Sequence, residues 1–274
     1  MLEVLQVETT NHCNARCIFC AHARIKDHGT MSNALYARIL ADAARLDPAP
    51  HTFIPMLTGE PFLDPQIVDR IEQARAALPT TEIHLYTNGS HLTKESISRL
   101  SEVPNFRLNI SANGASVETR KMLTGLDDYE HVAEMIDHVD AVGILHTVSL
   151  VQHPSLAGGE EEAFDKRWGQ GSSDSSCRTP SVFQHLNFAG LTCPCDGNNF
   201  TRCIHATSHM TVLRDGRVNL CCMDPLGRMI FGDLNHQMVS EVWFSEARQH
   251  YVALHEEGRG TECEVCQDCN IFSV

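Results

Sequence analysis

Residues 2–22 read LEVLQVETTNHCNARCIFCAH, an apolar run followed by a loop that carries Cys13, Cys17 and Cys20. Residues 2–8 suit a strand, rich in valine and leucine, that stops just before the loop. An iron–sulfur cube or a structural zinc ion wants four ligands, and the loop offers three. Either a fourth comes from elsewhere or one metal position is left open. Zinc held by three cysteines and a histidine is the simple alternative, with His12 or His22 adjacent. Zinc sites usually pair their cysteines on a knuckle and find the other pair far away. Three thiolates in one short loop suit three corners of a single cubane better.

Outward from this loop, strand-like and helix-like segments alternate. Ser32 can cap a helix through NALYARILADAARL, and HTFIPML is the next strand. Asp64 is expected to cap a helix in which Ile67, Ile71, Ala74 and Leu78 form one apolar stripe. EIHLYTN and FRLNIS read as strands, with a short helix from Thr93 between them. The helical stretches VETRKMLTG and YEHVAEMIDHVDAVG lead into the strand ILHTVSLV. A Gly- and Ser-rich connection with an acidic stretch near 160–168 then reaches a sixth expected strand, HLNFAGL, at 185–191. Six β–α units in series imply a parallel sheet, either an open wound sheet or an incomplete β/α barrel. On both, sites sit at the C-terminal ends of strands, where the cysteine loop falls. Beyond about residue 192 the chain turns to short strands, one helix (VSEVWFSEARQHYVALHEEG) and dense cysteine. Such a tail is too small for a large core and needs a metal to hold it. The expected organisation is a domain over 1–190 and a module over 191–274.

Composition narrows the function. The chain has 274 residues, 42% hydrophobic, with no run long enough to cross a membrane. Its start, MLEVLQVE, lacks the basic-then-apolar pattern of a secretory signal, so a cytoplasmic location is expected. In a reducing compartment the 12 cysteines point to metal ligation or redox chemistry, not disulfides. A net charge of −14 argues against nucleic acid as partner. It is compatible with a cationic small molecule, and equally with a soluble acidic surface.

The loop resembles the CxxxCxΦC signature of the radical S-adenosylmethionine (SAM) enzymes, with Phe19 at the aromatic position. The resemblance implies a partial (β/α)6 TIM-type barrel. It also implies that the open iron of a [4Fe–4S] cluster on Cys13, Cys17 and Cys20 chelates SAM, whose cleavage yields a 5′-deoxyadenosyl radical. An electron donor such as flavodoxin or ferredoxin is then an expected partner. LTGEP resembles the family's GGE motif, with Gly59 and Glu60 toward the methionine amino group and Thr58 replacing the first glycine. By the same resemblance Asn88 of YTNG and Ser111 of NIS fall at ribose- and carboxylate-binding positions, and Phe19 lies beside the adenine.

In the tail, Cys203 is followed by twelve residues, Gly216, four more and Cys221. Asp215-Gly216 between MTVL and RVNL is a hairpin signal that would return Cys221 toward Cys203. CEVCQDCN adds Cys263, Cys266 and Cys269. The arrangement resembles the twitch module, a shortened SPASM domain with an auxiliary [4Fe–4S] cluster. That resemblance implies Cys203, Cys221, Cys266 and Cys269 as ligands, with Cys263 the alternate. A zinc ribbon is the competing reading. Cys177, Cys193 and Cys195 match no family position and are taken as structural.

Cys222 directly follows an expected ligand, and neighbours on an extended segment point to opposite sides. If Cys221 faces a cluster, Cys222 faces the substrate cavity, where a thiol can return a hydrogen atom to a carbon radical from the face opposite its abstraction. The set is similar to the radical epimerases of aminoglycoside biosynthesis, of the type that inverts neomycin C to neomycin B, and Cys222 is then catalytic. A twitch-type dehydrogenase of an aminocyclitol is the runner-up, followed by peptide-modifying radical enzymes. A non-catalytic iron–sulfur or zinc-binding protein is the alternative of another class. Glu8 and Asp224 are possible contacts for substrate amines.

Overall fold

Val4–Val7 (β1) opens a sheet whose later strands arrive one helix at a time, in a computed structural model that describes residues 1–169, 177–184, 186–192 and 203–271. The sequence continues through Asn33–Ala43 (α1), Thr52–Ile54 (β2), Ile67–Ala77 (α2), Glu82–Thr87 (β3), Lys94–Ser101 (α3) and Phe106–Ile110 (β4). Val117–Thr124 (α4), Tyr129–Val142 (α5), His146–Gln152 (β5), Glu160–Trp168 (α6) and Arg178–Gln184 (β6) complete the array. Every neighbouring pair from β1 to β6 is parallel. This is the partial (β/α)6 barrel, its helices turning apolar stripes such as Tyr36 and Ile39 or Val132, Ile136 and Val139 onto one core.

The tail adds Ile204–Ser208 (α7), His209–Val212 (β7), Arg217–Asn219 (β8), Ile230–Asp233 (β9), Val239–Trp243 (α8) and Glu246–Glu256 (α9). Strand β7 lies parallel to β1, from Val4 opposite His209 to Val7 opposite Val212. The order β6-β5-β4-β3-β2-β1-β7-β8-β9 is therefore one unbroken nine-stranded sheet. The hairpin β7–β8 is antiparallel, and Gly216 takes a φ of +94° at its turn. A residue with a Cβ would be strained there.

Four local expectations change. The sixth strand is 178–184, not 185–191. Phe188, Ala189 and Gly190 adopt φ of 48°, 51° and 81°, left-handed values that no strand accommodates. The true strand was hidden by Pro180 and a polar composition, both tolerated because β6 is an edge. The acidic stretch near 160 is helix α6, with Phe164 and Trp168 buried one turn apart and Glu160, Glu161 and Glu162 in its first turn. Negative charge at a helix N-terminus is favourable. Asp64 does not cap α2, which starts after Gln66. Its Oδ1 accepts from the Gln66 amide, and its Oδ2 lies 2.8 Å from Nε of the buried Arg70. The single helix expected over 239–258 breaks at Phe244, because Ser245 accepts from the Arg248 amide and starts α9. Cys193 and Cys195 lie outside the described residues.

Candidate active site

The cysteine loop leaves the C-terminal end of β1 and is fixed along its length by main-chain bonds. The Asn11 amide donates to Gly29 O, the Arg16 amide to Thr124 O and the Ile18 amide to Leu123 O. The loop thus rests on the last turn of α4. Gly59 supports it from below. A Cβ at Gly59 would sit 2.2 Å from the Thr10 carbonyl oxygen and 2.9 Å from Asn11 Cα, so only glycine allows the approach. The Glu60 amide donates to His12 O at 2.7 Å, joining LTGEP to the loop.

Cys13, Cys17 and Cys20 are all half-buried. Burial, then the thiolates around it, pushes Cys17 up to about 12; burial with Glu60 and Cys20 nearby takes Cys13 to about 11. Burial raises Cys20 as well. Three thiols close enough to oppose one another's ionisation fit a shared cation, which reverses that penalty. His22 turns its Nε2 to the Asn11 carbonyl at 2.8 Å, a use that takes this nitrogen away from a zinc site. Phe19 is partly buried against the main core.

Glu60 is 2% exposed. Its Oε1 accepts from Thr87 Oγ1 at 2.6 Å and its Oε2 from the Asn88 amide at 2.8 Å. Burial raises its carboxyl to about 7, against the pull of these hydrogen bonds and of Arg120. Asn88 reaches the cysteine loop itself, its Nδ2 donating to Asn14 Oδ1. Ser111 ends β4 with its amide on Thr87 O. Gly59, Glu60, Asn88 and Ser111 thus gather at the C-terminal ends of β2 to β4, around the loop.

Sequence reasoning missed Arg120, which holds this group together. Its side chain is fully buried, pairs with Asp128 at 2.7 Å, and donates to the carbonyls of Asn88, Ser111 and Ala112. The carbonyls it binds belong to the ends of β3 and β4. Its only signal was an arginine inside the amphipathic stretch VETRKMLTG.

Glu8 and Asp224 are spent inside the protein and are not placed to hold a substrate amine. Glu8 accepts from the Thr58 hydroxyl and amide and from the Arg214 amide, tying LTGEP to the β7–β8 hairpin. Asp224 is fully buried and accepts from Arg228 Nε and the Met229 amide.

Between the strands, His84, Tyr86 and Asn109 line a cavity of about 470 Å³ together with Thr147 and Thr179. Burial raises the Tyr86 phenol, and nearby Cys222 adds to the shift. Cys222 places its Sγ 3.7 Å from His205 Nδ1. His205 Nδ1 lies 3.0 Å from Nδ1 of His209, a contact that sequence spacing did not announce.

In the tail Cys203, Cys221, Cys263, Cys266 and Cys269 are buried together, with Cys222 at their edge. Cys221 is the hub. Burial raises it well above the usual thiol range, with Cys222, Cys203 and Cys269 adding to the shift. Cys266 is raised first by its hydrogen bond with Cys263, then by burial, with Cys221 and Cys269 adding. Cys263 shares a thiol–thiol hydrogen bond with Cys266 and also lies 3.7 Å from the Met229 sulfur, so it belongs to the same buried group. Asn219 donates to the carbonyls of Cys221 and Asp224 and fixes the turn that presents Cys221. Asn187 and Asn270 exchange amide-to-side-chain bonds, clamping the CQDCN end onto the segment after β6.

Comparison with known proteins agrees with this geometry. Residues 7–165 match the model of the radical SAM superfamily, and residues 203–270 match that of the SPASM iron–sulfur cluster-binding domain. The S-adenosyl-L-methionine-dependent 2-deoxy-scyllo-inosamine dehydrogenase of Niallia circulans is 24% identical over 285 residues, covering 100% of this chain and 95% of the relative. A GTP 3′,8-cyclase of Pseudomonas savastanoi is 27% identical over 146 residues, 53% of this chain and 44% of its own length. Among solved structures, BtrN in complex with AdoMet and 2-DOIA superposes with a TM-score of 0.66 at 19% identity, covering 100% of this chain and 95% of that one. Streptococcus suis SuiB bound to the precursor peptide SuiA gives 0.76 at 13% identity over 92% of this chain and 67% of SuiB. Among the described residues no helix is long and apolar enough to cross a membrane. With a superfamily model matched over more than half of its length, the chain belongs to the radical SAM superfamily and is an enzyme whose cofactors are S-adenosylmethionine and iron–sulfur clusters.

Proposed function

We propose that the protein oxidises a hydroxyl-bearing carbon of an aminocyclitol or aminoglycoside, as a radical SAM dehydrogenase. The observation that carries this reading is the end-to-end likeness to a 2-deoxy-scyllo-inosamine dehydrogenase, which extends through the cysteine-rich tail. It moves weight away from the epimerase that the spare thiol suggested from sequence. Residues 1–190 are the catalytic barrel in this reading, and 191–274 the auxiliary module.

Cys13, Cys17 and Cys20 would hold a [4Fe–4S] cluster by three corners, and Cys203, Cys221, Cys266 and Cys269 would hold a second by four. When bound, the loop cluster and SAM supply the 5′-deoxyadenosyl radical that takes a hydrogen atom from substrate. Loss of one further electron and the hydroxyl proton turns an H–C–OH carbon into a carbonyl, and a closed cluster in the tail is suited to receive that electron. Glu60 and the backbone at Gly59 would position the methionine end of SAM. Asn88 and Ser111 would take its ribose and carboxylate, and Phe19 would lie along the adenine. The net charge of −14 suits a cationic substrate. A flavodoxin- or ferredoxin-like donor would reduce the loop cluster.

One observation favours a second reading. Cys222 packs at the edge of the buried cysteines without being one of the proposed ligands, which leaves its thiol for the role of a hydrogen-atom donor in an epimerase. The assay that separates the two uses reconstituted enzyme, SAM, a reductant and a panel of aminocyclitols and aminoglycosides in heavy water. After back-exchange into ordinary water, a product about two mass units lighter than substrate supports oxidation, since two hydrogens leave. An inverted product carrying one solvent deuterium, lost in Cys222→Ala, would establish the epimerase instead. Formation of 5′-deoxyadenosine with no aminocyclitol or aminoglycoside consumed would overturn both.

A further inference from the structure

Away from the cysteine loop and the tail, at the opposite ends of the strands, lies a third group of metal-binding side chains. Asp140 comes from the last turn of α5, His146 is the first residue of β5, and Cys177 immediately precedes β6. One ligand atom from each lies within 4.8 Å of the other two. The backbone fixes the pairing, because the His146 amide donates to the Cys177 carbonyl at 2.8 Å.

The hydrogen bonds of His146 say what the site lacks. Its Nδ1 lies 2.9 Å from the Ile144 carbonyl, which can only accept, so Nδ1 carries the proton. The side chain is fully buried, and burial favours the neutral ring. Nε2 then presents a lone pair to Asp140 Oδ1, 3.3 Å away. Two electron-rich atoms facing each other in a buried place are repulsive unless a proton or a metal ion lies between them. Histidines that bind metals typically donate the other ring N–H to a carbonyl or carboxylate, as His146 does. The second Asp140 oxygen, Oδ2, pairs with Arg178, and Oδ1 faces the ring.

We propose that Asp140 Oδ1, His146 Nε2 and Cys177 Sγ form a divalent-metal site, of zinc type, distinct from the iron–sulfur centres. A nitrogen, an oxygen and a thiolate suit zinc better than magnesium or calcium, which prefer oxygen alone. Zinc–ligand bonds of about 2.0–2.3 Å place tetrahedral ligands roughly 3.5 Å apart, so the group closes by about 1 Å on binding. Charge also balances. With Cys177 as thiolate, the metal's two positive charges and Arg178 offset Asp137, Asp140 and the sulfur. His146 and Cys177 both border the 470 Å³ cavity, so the fourth position opens toward it and would hold water. The site would tie the end of α5 to the start of the β5–β6 edge.

The test uses iron-loaded holoenzyme, so that the cluster cysteines are already occupied, and titrates it anaerobically with Co²⁺. The expected result is about one equivalent bound, with a thiolate charge-transfer band and the visible absorption of a tetrahedral ion. Cys177→Ser and Asp140→Asn should each weaken binding at least roughly tenfold with iron content unchanged, whereas Asp137→Asn should leave it intact. Zinc measured in holoenzyme as purified should fall in the same variants. Holoenzyme that neither carries zinc as purified nor binds Co²⁺ would overturn the site. So would a thiolate band undiminished in Cys177→Ser, or nitrogen NMR showing His146 doubly protonated at neutral pH without metal.

Discussion

The two iron–sulfur regions are built on opposite plans. Cys13, Cys17 and Cys20 sit within one loop and are all half-buried. Cys203, Cys221, Cys263, Cys266 and Cys269 are gathered from far-separated segments and are only 1–6% exposed. The loop is tied by main-chain bonds to Gly29, Leu123 and Thr124 and by the close packing of Gly59. The tail's second core is itself largely cysteine. The difference teaches which centre can meet a cofactor and which holds a fold. Three ligands on a preformed, accessible loop leave room for a molecule to bind. Four or more buried thiols leave none, and their metal substitutes for the apolar packing that so short a tail cannot supply.

This contrast can be broken by mutation, and the loop should give the largest effect. Replacing Cys13, Cys17 and Cys20 with alanine should abolish SAM cleavage, read as 5′-deoxyadenosine, while the tail retains its iron and the protein unfolds cooperatively. A collapse of the whole fold would show that the loop needs its metal as the tail does. In the tail, Cys221→Ala should lose one cluster's iron and roughly 5 kcal/mol or more of stability there, since metal binding is folding energy in such modules. Cys263→Ala should keep its iron if Cys203, Cys221, Cys266 and Cys269 are the four ligands and Cys263 only partners Cys266 and Met229. If Cys263→Ala loses iron and Cys269→Ala does not, the assignment of ligands is reversed.

Smaller effects sharpen how the loop is supported. Arg120→Met should cost about 3 kcal/mol in denaturant unfolding, since it strips a buried charge from Asp128 and hydrogen bonds from three carbonyls. It should also weaken SAM binding, measured calorimetrically, by displacing Asn88 and Ser111. Gly59→Ala should cost about 2 kcal/mol through its contact with the Thr10 carbonyl. Unaltered stability in Gly59→Ala would mean that the loop has more freedom than its bonds imply.

The strand and helix alternation was legible in sequence because core helices show a stripe of period 3.6, β3 and β4 alternate by twos, and β1 is a short, mostly apolar run. Strand β6 was not, since an edge strand with Pro180 carries neither signal. The cysteine-bearing segments stood out by their spacing, and Gly216 was legible as a turn. Arg120 was not legible because its partners are main-chain carbonyls, which no side-chain pattern marks. Glu8 and Asp224 looked available by position, yet burial commits them to Thr58, Arg214, Arg228 and Met229. Cys177 read as incidental because Asp140 and His146 meet it only through the pairing of β5 with β6.

The difference between an open and a closed centre is tested most directly by electron paramagnetic resonance of the reduced protein, with each cluster isolated by variants. In protein lacking Cys203, Cys221, Cys266 and Cys269, the remaining signal should shift on addition of SAM, as expected when a ligand occupies an open iron. In protein lacking Cys13, Cys17 and Cys20, SAM should leave the signal unchanged. A spectrum of the tail cluster that responds to SAM, with the loop cluster indifferent to it, would contradict the account.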